Sequence, residues 1–358
     1  MPASLSNTTT PLKVHRNIYP NSFRVISSIC EVNMKRYILH LIFTLMVCTP
    51  LLAAEPLGTP DPDDMILYDD EENTELEVEL GKMLFFDTRL SVNGQQSCAT
   101  CHNPDLGFSD GMAKGVGTKN NPLGRNTPHI YNMAWSSVLM WDGREPTLEQ
   151  QALGPIASGQ EMMLPLDELE RRLNAVAGYR RLFKQAYDVD KITRDEIARA
   201  IAAFERTIVI DDTPFDRYLA GDTQAMSQDA IKGLALFKGK GNCTQCHDGP
   251  NFTDDSFHSL GIKDNDPGRA AITGDKQFLG AFKTPGLRNT ELTAPYMHDG
   301  SLTSLMDVVK FYNQGGGGAK HTSNLVKPLN LTAKEERQLV AFLKSLTQPF
   351  EVDVPKIP

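Results

Sequence analysis

Apolar residues recur at helical spacing over much of the chain. Behind Thr193-Arg-Asp-Glu196, which has the form of a capping box, Ile197, Ile201 and Phe204 fall on one helical face. Behind a second such box, Thr332-Ala-Lys-Glu335, the apolar positions are Leu339, Phe342, Leu343 and Leu346. The stretch 167–187 predicts a third helix, broken at Gly178. Strand-like alternation is scarce, and 103–132 and 248–295 are long loops rich in Gly, Pro and Asn. The pattern predicts a mainly α fold of small helical domains joined by long loops.

Two segments fall outside that pattern. Residues 55–79 are acidic and poor in apolar periodicity, and are expected to form an N-terminal arm. Met34-Lys35-Arg36 is followed by an apolar run to Ala53, then Glu55. Residues 34–54 therefore read as a secretory signal peptide cleaved after about Ala54. The alternative, a membrane anchor, is opposed by the shortness of the run and by His40 and Pro50 within it. Residues 1–33 read as an upstream extension absent from the mature protein, with translation starting at Met34. The remainder, of about 270 residues, suits two small domains. The expected division is 80–205 and 206–350.

A tandem repeat supports that division. Cys-x-x-Cys-His occurs at Cys98, Cys101 and His102, and again at Cys243, Cys246 and His247. Gly81-Lys-Met-Leu-Phe85 precedes the first copy and Gly233-Leu-Ala-Leu-Phe237 the second. Downstream, Thr127-Pro-His-Ile-Tyr-Asn132 matches Thr284-Pro-Gly-Leu-Arg-Asn289. Met140-Trp-Asp-Gly143 matches Met297-His-Asp-Gly300.

The motif itself carries chemistry. Two thiols at this spacing can add to the vinyl groups of a haem, and the adjacent imidazole reaches the iron from one face. Two covalently bound haem c groups are expected. Removal of residues 1–54 also removes Cys30 and Cys48, so the four cysteines left all belong to the two motifs. A disulfide framework is excluded on that count, and zinc fits poorly with a histidine so close to the cysteines. The full chain has a formal charge of −9, and without its first 54 residues it carries 31 basic and 44 acidic residues, a net −13. That balance offers no nucleic-acid surface. The expected location is the periplasm, with no membrane span in the mature chain.

The repeat also serves as a ruler for the far face of each haem. Thirteen residues beyond Asp142 stands Pro155, and thirteen beyond Asp299 stands Tyr312. Tyr312 has an oxygen that can bind iron, whereas Pro155 has no ligating side chain. One iron with two protein ligands and one with an open face are expected. The competing readings are a hydrogen-bonded core tyrosine at 312, Met297 or His298 as the sixth ligand, and a simple turn at Pro155.

These motifs together resemble the di-haem cytochrome c peroxidase and MauG family, over nearly all of the chain from Gly81 to Leu346. The carrying stretches are CATCH, CTQCH, WDGREPTLEQQALGPI with Glu161-Met162, and KTPGLRNTELTAPYMHDGS. In the peroxidase branch a methionine stands at the position of Tyr312, and in the MauG branch an iron-ligating tyrosine. The peroxidases also carry a blocking histidine in the loop before GRNTP. Here 111–125 contains none, and His129 lies beyond that loop. The resemblance implies a first haem that is open at rest. It places Glu161 there as the proton carrier for hydrogen peroxide cleavage, Gln151 as the residue positioning peroxide or water, and Trp141 between the haems. It also implies one calcium ion held by the Asn126 side chain and the carbonyls of Thr293 and Pro295, an oxygen-only set. On this reading Tyr312 helps the second iron hold one of two oxidising equivalents, and the target is an aromatic residue of a partner protein. The alternatives are a peroxide scavenger fed by a small cytochrome or cupredoxin, and a di-haem electron carrier without catalysis. One departure stands out: Gly241 occupies the place of the surface tryptophan that MauG uses on its protein substrate.

Overall fold

The computed structural model describes residues 56–358. The predicted signal segment, 34–54, and the stretch before it lie outside the described residues. Eleven α-helices are present among the described residues. They are α1 (Glu75–Phe85), α2 (Cys98–Cys101), α3 (Leu148–Ala157), α4 (Leu166–Ala175), α5 (Ala177–Tyr187), α6 (Arg194–Arg206), α7 (Pro214–Leu219), α8 (Gln228–Lys238), α9 (Ala270–Thr273), α10 (Leu305–Asn313) and α11 (Ala333–Lys344). Strands are confined to two antiparallel pairs of two residues each. Val116–Gly117 (β1) pairs with Asn121–Pro122 (β2), and Phe257–His258 (β3) with Phe282–Lys283 (β4). The fold is mainly α with long loops, as the periodicity indicates. No helix among the described residues is long and apolar enough to cross a membrane.

Both sequence-predicted capping boxes form, at Thr193 with Glu196 and at Thr332 with Glu335. Others were missed, among them one at Thr213 with Asp216. Thr74 and Glu77 cap each other and start α1 at Glu75, inside the stretch read as an arm. The acidic run around Glu77 hid the signal. The predicted break at Gly178 is also misplaced. The chain leaves helical geometry at Val176 (φ −91°, ψ 109°), between α4 and α5. Gly178 instead admits the C-terminus, since a Cβ there would lie 2.5 Å from Pro358 Cβ.

The repeat is repeated in the packing. Helix α1 crosses α6, and α8 crosses α11. At both crossings a glycine lets the backbones touch. A Cβ on Gly81 would sit 1.7 Å from the Ala200 carbonyl oxygen, and one on Gly233 2.0 Å from that of Gln338. Four residues on, Phe85 packs against Phe204 (5.2 Å between centroids) and Phe237 against Phe342 (5.0 Å). The Gly-x-x-x-Phe element thus reflects one helix crossing made twice. One core gathers Leu80, Leu84, Leu169, Phe183, Ile197 and Ile201, and another Phe215, Phe237, Phe252, Leu339 and Phe342.

The chain ends are exchanged between the halves. The N-terminal arm lays Leu57 on the second core, while Phe350 and Val352 pack on the cluster around Phe108 and Tyr131 in the first. The arm is pinned by Arg288, which is 1 % exposed. Its guanidinium donates to both Asp216 carboxylate oxygens (2.8 and 2.9 Å), to the Gly58 carbonyl (2.8 Å) and to the Pro250 carbonyl (2.9 Å). Burial tends to raise the Asp216 carboxyl, but Arg288 and Thr213 outweigh it and hold the group below its ordinary value. Asp216→Ala should leave a buried charge unpaired, which costs roughly 3–5 kcal/mol. The expected result is a large fall in the thermal midpoint of the holoprotein. The pair's contribution is complete above the unfolded carboxyl's pKa and is lost as pH falls through the depressed folded value. The midpoint difference between wild type and variant should therefore shrink in acid, and a difference independent of pH would count against this account.

Candidate functional site

Each Cys-x-x-Cys-His motif sits on a short turn at the wall of a large cavity. The first cavity, of about 420 Å³, is lined by Cys98, Cys101, His102, Trp141, Gln151, Pro155 and Glu161. The second, of about 240 Å³, is lined by Cys243, Cys246, His247, Met297, His298 and Tyr312. The cavities share a wall built from Asn126–His129, Trp141, Lys283, Pro285 and Gly286. The two matched Thr-Pro motifs therefore meet back to back.

The residues present fit a haem in each cavity. His102 Nδ1 lies 3.1 Å from the Phe108 carbonyl oxygen, and His247 Nδ1 2.9 Å from that of Phe252. Donation from Nδ1–H leaves Nε2 as the free lone pair and fixes the ring. Burial lowers both imidazoles below their ordinary pKa, which keeps them neutral and able to ligate. Burial pushes the thiols the other way, Cys101 up to about 11 and Cys243 up to about 12, and Cys98 also upward. None of the four cysteines is in a disulfide. Held protonated, the thiols of Cys98, Cys101 and Cys243 are poor ligands for a metal ion as thiolates.

The far walls differ in the way the repeat register indicates. Helix α3 starts after the N-cap Thr147 and α10 after the N-cap Ser304, and Pro155 and Tyr312 are the eighth residue of each. Pro155 presents no donor atom to the first cavity, and lacks the N–H that would bond back into its helix. Tyr312 lines the second cavity, and its hydroxyl makes no hydrogen bond among the described residues. Burial raises its pKa, so an unligated phenol stays protonated there. Of the competitors, His298 is otherwise engaged: its Nε2 lies 2.6 Å from Asp264 Oδ2 and its ring stacks on Phe282 at 3.6 Å. Met297 lines the cavity in a left-handed backbone conformation (φ 74°) that its counterpart Met140 shares (φ 72°).

Glu161 and Gln151 enter the first cavity from either end of one segment. Gln151 is on α3, with Nε2 3.7 Å from Met140 Sδ. Glu161 follows the helix, its backbone held by Thr118 N–H donating to its carbonyl (2.7 Å). Trp141 borders both cavities. Its indole N–H donates to the Asn126 carbonyl (2.9 Å), and Phe282 and His298 pack edge-on to it. Trp135, by contrast, donates to the Asp61 carbonyl in the arm. Asn126, Thr293 and Pro295 border the second cavity together. Asn126 Nδ2 donates to the Met112 carbonyl (2.9 Å), leaving Oδ1 as its acceptor. Neither the Thr293 nor the Pro295 carbonyl accepts a hydrogen bond among the described residues. Three unspent oxygens fit a calcium ion.

Comparison with known proteins agrees with this architecture. Residues 75–224 match the family described as di-haem cytochrome c peroxidase. The methylamine utilization protein MauG of Methylorubrum extorquens is 45 % identical over 289 residues, covering 78 % of this chain and 81 % of that protein. The chain belongs to the di-haem cytochrome c peroxidase and MauG family. It is therefore an enzyme, a di-haem oxidoreductase. The cytochrome c551 peroxidase of Nitrosomonas europaea is 36 % identical over 320 residues, covering 88 % of this chain and 92 % of that one. A solved MauG-like protein associated with microbial copper homeostasis superposes with a TM-score of 0.73 at 32 % identity, covering 84 % of this chain and 95 % of that one.

Several site residues were not singled out from the sequence. His129 stands in the shared wall, with Nε2 3.1 Å from the Gly286 carbonyl oxygen and Nδ1 accepting from Tyr131 N–H. Burial drives it down to about 4, so it stays neutral. Lys283 borders both cavities and pairs with Asp255 at 2.9 Å. Glu205 borders the first cavity from α6. Its signal was available, because it follows Ile201 by four residues and shares that residue's inward face.

Proposed function

We propose that this chain is an exported di-haem c oxidoreductase that uses hydrogen peroxide to oxidise an aromatic residue, tryptophan first, on a partner protein. The carrying observation is the asymmetry between matched helices: Pro155 over the first cavity, Tyr312 over the second. When covalently bound, the haems supply the redox chemistry for two oxidising equivalents. The protein's residues do the rest. His102 and His247 would hold the haem irons, each made a stronger donor by its Nδ1–H bond to a carbonyl. Pro155 leaves room for peroxide. Gln151 orients it, and Glu161 carries a proton from its near to its far oxygen. Tyr312 would offer an anionic oxygen to the haem that His247 holds, a donor that favours a higher charge on its iron. Trp141 couples the two cavities across their shared wall. Asn126 Oδ1 with the Thr293 and Pro295 carbonyls would hold calcium beside that wall. The periplasm follows from export. The copper-homeostasis association of the solved relative supports a small copper-binding protein as the substrate.

A second reading has its own support. Gly241 replaces the surface tryptophan of MauG, and related peroxidases are 36 % identical. It makes the chain a peroxide scavenger fed by a small cytochrome or cupredoxin. Stoichiometric peroxide followed by mass spectrometry of a tryptophan-bearing partner separates the two. Oxygen gained by the partner's tryptophan supports the first. Steady-state oxidation of a reduced cytochrome at about 1–10³ s⁻¹ without partner modification supports the second.

Trp141→Phe tests the coupling. The loss of one hydrogen bond to the Asn126 carbonyl should cost about 1 kcal/mol, so both haems should remain bound. Sharing of oxidising equivalents after peroxide should slow and partner oxidation should fall. Unchanged kinetics by stopped-flow absorbance would place the bridge elsewhere, with His129 the next residue to vary.

A further inference from the structure

Besides Glu161, and besides Asp142 and Asp266, which pair with Arg125, the first cavity is lined by a carboxyl that the chemistry above does not use. Glu205 is 5 % exposed and borders the same cavity as Cys98, His102 and Glu161, and its carboxyl accepts no hydrogen bond from the described residues. A buried carboxyl with no partner is costly unless it stays neutral or serves a purpose. Its charged neighbours are few. Arg206 follows it on α6 but turns to Glu149 Oε1 (2.7 Å) and to the Ile66 carbonyl (3.0 Å). Glu149 faces it from α3, and Cys98 from the haem-attachment turn. Helix α1 contributes Glu77, which pairs with Arg199 at 3.7 Å, and α4 packs with the apolar Leu169 and Leu173. Of the three buried donors without a hydrogen-bond partner among the described residues, two, Arg206 Nη1 and the Tyr187 hydroxyl, belong to this neighbourhood. Tyr187 feels both the outer Glu77–Arg199 pair and the inner Glu149. Of Tyr187, Glu149, Arg206 and Glu205, only Glu149 and Arg206 are hydrogen-bonded to each other among the described residues.

We propose that Glu205 is a proton carrier for the first haem cavity. The inference rests on the peroxide chemistry proposed above. Reducing hydrogen peroxide to two waters breaks the O–O bond and takes up two electrons and two protons. The partner or donor protein supplies the electrons and is oxidised. Glu161 only relocates a proton already on peroxide, so the two new protons must enter from outside, and Glu205 delivers one of them. Burial pushes Glu205 up to about 8 against the pull of Arg206, with Glu149 adding to the rise. It therefore holds its proton at neutral pH and loses it as pH rises through that value.

The test uses the holoenzyme and the variants Glu205→Gln, which keeps the shape but carries no proton, and Glu205→Asp, which restores the acid. Wild-type peroxide turnover should fall with rising pH through about 8. Glu205→Gln should turn over on the order of 10²-fold more slowly and lack that alkaline limb, while Glu205→Asp recovers it. Infrared difference spectra from about pH 6 to about pH 10 should show one protonated carboxyl band titrating in wild type and absent in Glu205→Gln. A Glu205→Gln enzyme with wild-type rate and limb overturns the proposal and leaves the peroxide reading standing. Loss of the first haem from Glu205→Gln also overturns it, because the residue would then be holding the haem. A wild-type enzyme that does not consume peroxide removes both readings at once.

Discussion

Tyr312→Phe should convert the second haem from a six-coordinate low-spin centre to a high-spin one. Resting ferric wild type should show one low-spin and one high-spin signal by electron paramagnetic resonance, without prior reduction. The reason is the matched position on α3 and α10, where Tyr312 lines the second cavity with an uncommitted hydroxyl and Pro155 lines the first. His298 cannot take over without giving up Asp264 and the stack on Phe282. A low-spin signal that survives in Tyr312→Phe would assign the sixth position to Met297. Tyr312→His should keep the low-spin signal, since imidazole also ligates iron. Its neutral nitrogen donates less charge than tyrosinate. Axial ligands spread haem potentials over about 0.8 V, and an upward shift on the order of 0.1 V is expected for this exchange. Oxidation of the second iron beyond ferric becomes harder, and partner oxidation should fall while the first haem still consumes peroxide. Mössbauer spectra before and after one equivalent of peroxide would show it. If the second iron of wild type stays ferric, the scavenging peroxidase becomes the better account.

Glu161→Gln should slow the reaction with peroxide by roughly 10²- to 10⁴-fold, the range for loss of a positioned proton carrier. Glutamine keeps the shape and the hydrogen-bonding reach but cannot relay a proton between the two peroxide oxygens. The first haem should still be high-spin and the second low-spin, because Glu161 is on neither axis. The backbone at 161 is anchored through Thr118, so the substitution should not displace the loop. Stopped-flow absorbance under pseudo-first-order peroxide measures the step directly. Glu161 and Glu205 are distinguishable in this assay: Glu161 governs the first reaction with peroxide, Glu205 the proton uptake that completes turnover. A Glu161→Gln rate within a few-fold of wild type would move the relay to another group in the cavity.

Much of the site was legible because its chemistry is local. Cys-x-x-Cys-His is a single turn of chain, and its spacing alone specifies thioether attachment and one axial ligand. The repeat carried the next step. Two units built alike keep equivalent residues at equivalent helical positions, so counting from Asp142 and Asp299 led to Pro155 and Tyr312 without any coordinates. The helices at 194–206 and 333–344 were readable from capping boxes and apolar spacing. The start of α1 was not, because its capping glutamate lies in an acidic run, and the α4–α5 break was misplaced because Gly178 is kept for a contact with Pro358.

The amino-acid sequence by itself determined the two Cys-x-x-Cys-His motifs, the tandem repeat around them, and that matched positions carry Pro155 in one unit and Tyr312 in the other. Tertiary structure alone decided how the halves join. The shared wall brings Asn126–His129 against Lys283, Pro285 and Gly286, and Leu57 packs on the second core while Phe350 and Val352 pack on the first-half cluster. It alone committed His298 to Asp264 and turned Glu205 into the first haem's cavity. The physical reason is separation along the chain. Periodicity and motif spacing report on neighbours within a few turns. A contact between residues more than a hundred apart depends on how long irregular loops fold back, and no local pattern records that path.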